Sequence, residues 1–228
     1  MEIELSQVSK HFGAVRALAP VDVRLGDGKL LLITGPNGSG KSTLLRILAT
    51  ALAPDQGHYF WDGRPVRTVL QQARKSIGYL GEHMGLYDDL TVAENIAFWG
   101  DVYGRKSTPE EIATTLRLWK LDRHAARPVR NLSQGMVRRA GLAKISIQNP
   151  RLILLDEPFN GLDEENTAAL VNILGTWKKE GRCTAVATHQ PETIAFLANQ
   201  RLSLGHLGTS YSFPNFIDSG RAKVDIRK

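Results

Sequence analysis

Nine consecutive residues, Gly35-Pro36-Asn37-Gly38-Ser39-Gly40-Lys41-Ser42-Thr43, have the types and order of a phosphate-binding loop. The apolar run Leu30 to Ile33 precedes them, and the helical pattern Leu44-Leu45-Arg46-Ile47-Leu48 follows. The chain must therefore leave a buried strand and turn sharply into a helix. Glycines in the loop let successive backbone N–H groups face inward with no Cβ in the way. The new helix adds free N–H groups and the positive end of its dipole. Lys41 is placed to reach the terminal phosphates, and the Ser42 hydroxyl to ligate Mg²⁺. A glycine-rich turn without a ligand would have no need of both neighbours. The pattern predicts a nucleoside triphosphate site.

A second stretch supplies what such a site lacks. Leu152-Ile153-Leu154-Leu155-Asp156-Glu157-Pro158 is a buried strand ending in two acids. It delivers carboxylates to the sheet edge where the phosphate loop also sits. Asp156 would hold Mg²⁺ through water beside Ser42, and Glu157 would orient or deprotonate the attacking water. Two acids after an apolar run could also open a helix, as could Asp163, but the loop upstream favours catalysis. Leu132-Ser133-Gln134-Gly135-Met136 precedes a helix over Val137 to Ile147, with Arg138 and Arg139 in its first turns. By residue type alone Ser133 is an N-cap and nothing more.

These residues must be held by a framework, and the composition permits one. The chain has 228 residues, 42% hydrophobic and 23% charged, so it can bury a large core. A net charge of +6 suits anionic nucleotide or lipid. The basic residues are scattered without aromatic interleaving, and no nucleic-acid partner is predicted. The single cysteine, Cys183, lies in an apolar run and excludes an intramolecular disulfide. Neither a signal peptide nor an apolar stretch near the ~18 residues of a membrane span is present. The expected location is cytoplasmic.

Period-2 patterns at Ile3, Leu5 and at Val21, Val23, Leu25 predict antiparallel strands, with Gly26-Asp27-Gly28 as a turn. His58 to Trp61 and Arg64 to Val66 flank an Asp62-Gly63 turn, which predicts a hairpin. Ile77 to Leu80 reads as a short strand, and Thr91 to about Ile147 as helical, with a start at Pro109-Glu110-Glu111. Strand, helix and strand then alternate over Leu152 to Leu155, Glu164 to Glu180 and Thr184 to Thr188. A helix over Pro191 to Ala198 and a strand around Leu202 and Leu204 complete the pattern. The prediction is an α/β chain: a mixed, mainly parallel sheet core, an N-terminal antiparallel β part and an inserted helical part. A single domain spans 1–208, with its core in 1–81 and 150–208 and its helical part in about 82–149. Residues 209–228 are expected to be a loosely attached tail.

The phosphate loop, Leu132-Ser133-Gln134-Gly135-Met136, Asp156-Glu157-Pro158, Asn160-Gly161-Leu162-Asp163 and His189, in that order, resemble the ATP-binding cassette family of P-loop NTPases. The resemblance implies an ATPase using ATP and Mg²⁺, and a head-to-tail dimer with a second cassette subunit. Each nucleotide would sit on one subunit's loop and be capped by Ser133 and Gly135 of the other. It further implies that Asp163 links the two sites, that His189 contacts the γ-phosphate and water, and that Phe12 stacks on adenine. Transmembrane permease subunits would complete a transporter, leaving this chain peripheral on the cytoplasmic face of the cell membrane.

Two departures from the usual pattern stand out. Gln134 and Met136 replace a glycine and a glutamine of the signature, while Ser133 and Gly135 remain. Glu82, with His83 as the fallback if the register slips, takes the position of a Mg²⁺-binding glutamine. Both departures, with Leu86-Tyr87-Asp88-Asp89-Leu90, resemble export ATPases. Met136-Val137-Arg138-Arg139 also suits the haem-exporter ATPases of cytochrome c assembly. Met84, Leu86 and Tyr87 are candidates to hold a permease helix. The rival expectations are a soluble cassette protein remodelling ribosomes or DNA, and a metabolic phosphotransferase. The first would co-purify with ribosomes or DNA, and the second would yield a phosphorylated product.

Overall fold

Residues with alternating burial build the first layer. Strands β1 (Glu2–Phe12) and β2 (Val15–Gly26) pair antiparallel from Glu2 with Gly26 to Phe12 with Val15. Strand β4 (Gln56–Trp61) lies on the other side of β1, and the short β5 (Arg64–Pro65) folds back on it around Asp62-Gly63. Both period-2 strands and the hairpin stand where the sequence puts them. The fold is that of a computed structural model, which describes residues 1–205 and 210–214.

Strands β3 (Leu30–Thr34), β6 (Ile77–Leu80), β7 (Leu152–Asp156), β8 (Cys183–Ala187) and β9 (Gln200–Leu204) form a parallel sheet in the order β9-β3-β8-β7-β6. The central β3, β7 and β8 are almost wholly buried because both of their faces are covered, whereas β9 carries Gln200 and an exposed Arg201. Leu31 and Ile33 of β3 and Leu152 and Leu154 of β7 pack into one core cluster with helix α1 (Lys41–Leu48) and the antiparallel sheet. Leu30, Leu32, Ile153 and Leu155 pack into the other, with α5 (Gln134–Gln148) and α6 (Glu164–Lys179). A side chain of this kind contributes roughly 1.5–3 kcal/mol when fully buried.

Between β6 and β7 the chain is helical: α3 (Val92–Val102), α4 (Pro109–Leu118) and α5. Thr91 with Glu94, and Thr108 with Glu111, form reciprocal capping boxes. A short helix between β5 and β6, α2 (Leu70–Lys75), was not anticipated from the sequence.

Two expectations change. Pro191 to Ala198 is not an α-helix: only Pro191–Thr193 is helical, as a 3₁₀ turn, and the following bonds also run i→i−3, Leu197 N–H to Ile194 C=O at 2.9 Å. Asn199 is anchored to β3 immediately afterwards, its N–H donating to Leu30 C=O at 2.9 Å, so too few residues remain for a longer helix. Part of the expected tail is also strand. Ser210–Pro214 form β10, antiparallel to β9 from Ser210 with Leu204 to Pro214 with Gln200, on the edge where a proline is tolerated. The remaining tail positions, 209 and 215–228, lie outside the described residues.

Candidate active site

Register places the chemistry at one level of the sheet. Ile33 pairs with Ala187, and Ala187 with Asp156, so β3, β8 and β7 end side by side. The phosphate loop, Thr188-His189 and Glu157 therefore leave the same edge.

The loop is shaped for an anion. Gly35 has φ +146°, and a Cβ there would lie 2.3 Å from the Leu204 carbonyl oxygen. Gly40 has φ +97°, and its Cβ would meet the Ala17 carbonyl oxygen at 2.4 Å. Helices α3 to α6 are each capped by a side chain, Thr91, Thr108, Ser133 and Asp163 respectively. Helix α1 starts from Gly40 with no side-chain cap and no acid in its first turn. Its free N–H groups thus remain for a ligand. Ser39 Oγ is buried and unpartnered in the same loop. Lys41 is buried to 7% exposure, with Nζ donating to the carbonyls of Gly35 at 2.8 Å and Pro36 at 3.1 Å. Those two neutral acceptors hold the ammonium where a triphosphate would arrive.

A cavity of about 370 Å³ is lined by the loop from Asn37 to Thr43 together with Ala17, Asp156 and Glu157. A larger cavity of about 640 Å³ lies beyond the far end of α1, between Leu52 and Phe60. It has no carboxylate and lies away from the glycine-rich loop, so the smaller one is the candidate site. Ser42 hydrogen-bonds Asp156, whose carboxyl burial raises above its ordinary value while the Ser42 contact lowers it. A hydroxyl and a carboxylate side by side are the hard oxygen donors that Mg²⁺ takes alongside phosphate oxygens. Among the described residues no group of three His, Cys, Asp or Glu forms a richer metal site.

Glu157 adopts φ +48°, a left-handed backbone uncommon for a residue with a side chain. Its N–H donates to the Ala187 carbonyl at 2.8 Å. Its Oε2 accepts from the His189 backbone N–H at 3.2 Å and lies 2.8 Å from His189 Nδ1. The two residues, 32 apart in the chain, form one acid–imidazole pair. That pairing had no signature in the sequence, where His189 stood alone after a strand.

The remaining candidates lie outside the cavity lining. Ser133 is exposed and accepts from the Met136 N–H at 3.3 Å, capping α5. A Cβ on Gly135 would lie 2.6 Å from the Gly161 carbonyl oxygen, so the signature packs directly on the Asn160-Gly161 turn. Asp163 caps α6, accepting from the Asn166 N–H at 2.8 Å, and that bond holds its carboxyl below the ordinary value. Phe12 is 50% exposed at the end of β1 and is no core residue. Glu82 and His83 are exposed in the loop after β6, and the Glu82 charge is felt at Tyr79, whose hydroxyl burial pushes up to about 12. Met84, expected to be exposed, is buried at 8% beneath α5, where its sulfur would be 2.9 Å from a Cβ on Gly141. Tyr87 is exposed, in edge contact with Phe98.

Sequence reasoning missed two cations. Arg138 donates from Nη1 to the Glu157 carbonyl at 3.1 Å, a contact that requires the fold. Lys144 donates to the Met84 carbonyl and lies 5.0 Å from the Trp99 ring centre.

Comparison with known proteins agrees with this geometry. The family described as ABC transporter matches residues 18–160. The cytochrome c biogenesis ATP-binding export protein CcmA of Cupriavidus necator is 38% identical over 169 residues, 74% of each chain. CcmA 2 of Cupriavidus metallidurans is 34% identical over 188 residues, 82% of this chain and 89% of that one. The sulfate/thiosulfate import ATP-binding protein CysA of Synechococcus elongatus is 37% identical over 209 residues, 90% of this chain and 60% of that one. A bacterial ABC transporter cassette solved as a dimer superposes with a TM-score of 0.84 at 26% identity, covering 93% of this chain and 98% of that one. The uncapped α1, the Ser42–Asp156 pair and these likenesses together make the chain a member of the ABC transporter family, an ATPase that binds ATP with Mg²⁺.

Proposed function

We propose that the chain is the ATP-hydrolysing subunit of a membrane exporter, acting as a head-to-tail pair docked on permease subunits at the cytoplasmic face. The observation that carries the catalytic part is the Glu157–His189 pair at 2.8 Å, set beside the loop that holds Lys41. In hydrolysis a water oxygen bonds to the terminal phosphorus, the bond to the bridging oxygen breaks, and that electron pair leaves with ADP. Glu157 orients the water and takes its proton, while His189 holds the carboxylate in place. Lys41 and the α1 N–H groups stabilise charge on the phosphate oxygens. Bound Mg²⁺, held by Ser42 and Asp156 with Glu82 as a further oxygen donor, would neutralise charge on the terminal phosphates.

The pairing rests on the family likeness. Ser133 and Gly135 head α5 and do not line the cavity of their own chain, which leaves them available to serve the opposing nucleotide. The dimeric cassette among the similar structures supports that arrangement. Asp163, one turn beyond the Gly135–Gly161 contact, stands on the segment joining the two sites. Phe12, exposed with Lys10 Nζ 5.7 Å from its ring centre, is free to stack on adenine.

No helix of the described residues is long and apolar enough to cross a membrane, and in this reading permease subunits supply that part. A groove of about 360 Å³ between the helical part and the core, lined by Tyr79, Trp99, Tyr103 and Lys144, suits a docked permease helix, with Tyr87 and Phe98 exposed nearby. Export is favoured because the relatives that this chain and its counterpart cover most evenly are named as export proteins. The chain spans about 60% of the length of the import relative. Glu157→Gln tests the assignment. The variant is expected to keep ATP, lose phosphate release and accumulate as an ATP-bound pair; normal phosphate release would refute it.

A further inference from the structure

Glu157 is held from three directions. Ala187 fixes its N–H, His189 fixes its carboxylate, and Arg138 fixes its carbonyl. The third hold differs in origin, because Arg138 belongs to α5, the helix whose head is Ser133 and Gly135. Its Nη1 donates to the Glu157 carbonyl at 3.1 Å and reaches the Asp156 carbonyl at a long 3.5 Å. The guanidinium is half-buried, and burial lowers its proton affinity against the opposing charges of Asp156 and Glu157. A desolvated cation is costly unless its partners stay in place. The neighbouring Arg139 turns the other way, to the carbonyls of Trp119 and Lys120, both at 3.0 Å. One turn of α5 thus grips the helical part with one arginine and the carboxylate strand with the other.

In the paired arrangement proposed above, on which this rests, the two ends of that grip serve different nucleotides. Ser133 and Gly135 face the opposing ATP, while Glu157 works on the chain's own. The Glu157 backbone sits in a sparsely populated conformation, which persists only when its surroundings enforce it. We propose that Arg138 is a positioning residue coupling the two sites: it locks the Glu157 backbone when its own signature segment has engaged the opposing nucleotide. Hydrolysis at one site is then conditional on occupancy of the other.

The test compares steady-state ATP hydrolysis of the full chain with Arg138→Met and Arg138→Lys, alongside fluorescent-ATP titration and thermal melting of the same samples. The wild type is expected to show a Hill coefficient approaching the two sites of the pair. Arg138→Met should bind ATP within about twofold of wild type, because the guanidinium does not touch the loop. Its kcat should fall about 10-fold or more, the loss of a charged hydrogen bond at the reacting step, and its Hill coefficient should drop toward one. Arg138→Lys, which keeps the charge and one donor, should recover part of both, and it carries the test if the methionine variant does not fold. A kcat loss with undiminished cooperativity would overturn the coupling role, as would a methionine variant indistinguishable from wild type. A wild type that turns over without cooperativity would instead sink the paired reading beneath it.

Discussion

Lys41 is nearly buried, and its ammonium donates to two loop carbonyls that fix its place beside the cavity. On binding, those neutral contacts are exchanged for charged oxygens. Lys41→Ala should therefore lower ATP affinity by about 10- to 100-fold, the range of one charge-assisted hydrogen bond. Fluorescent-nucleotide titration measures this, and unchanged affinity would contradict the role given to Lys41. The residues that the sequence disclosed here are those whose neighbours in the chain impose their place. Lys41, Ser42, Asp156 and Glu157 each end an apolar run or open a helix, so strand and loop fix them locally. The bonds from His189 and Arg138 to Glu157 span 32 and 19 residues and depend on strands meeting in the sheet, so no local pattern announced them.

At the level of elements, the contrast between helix starts says most. Four helices are closed by Thr91, Thr108, Ser133 and Asp163, while the short α2 and the helix that follows the glycine loop start without a side-chain cap, the latter at the cavity. The helix start at Pro109-Glu110-Glu111 was legible because it is local chemistry, and the structure adds Thr108 as its cap in a box with Glu111. The 3₁₀ turn at Pro191–Thr193 was hidden, because its shortness comes from the anchoring of Asn199 to β3 rather than from composition. Helix α5 is tied to the loop after β6 by Lys144, whose ammonium burial lowers from its ordinary 10.5 to about 8. Between about pH 8 and 10.5 the unfolded chain holds a proton that the folded chain has released. Stability contributed by this group therefore rises with pH through that window and is at its lowest below it. Melting curves of wild type and Lys144→Met from pH 7 to 10 should show wild type gaining on the variant as pH rises. A constant gap would contradict the burial of this ammonium.

For the molecule as a whole, the two layers leave different work to different parts. The parallel sheet and α1 build the phosphate loop's cavity, and the helical part carries Ser133 and Gly135 outside it, which in the proposed pairing puts them on the nucleotide of another copy. The overall order of strands, helical insertion and strands was legible, because apolar runs covered on both faces cannot be mistaken for surface strands. The edge strand Ser210–Pro214 was not, since its place comes from pairing with β9 and not from its own pattern. The claim that binds these scales together is that a triphosphate is gripped fully only between two copies of this chain. Its most direct measure is ATP hydrolysed per molecule, with no permease present, across dilutions that run from monomer to pair as followed by sedimentation. The account predicts that the rate per molecule climbs with protein concentration and levels off as pairs saturate. A rate per molecule that stays constant down to strictly monomeric protein would contradict it.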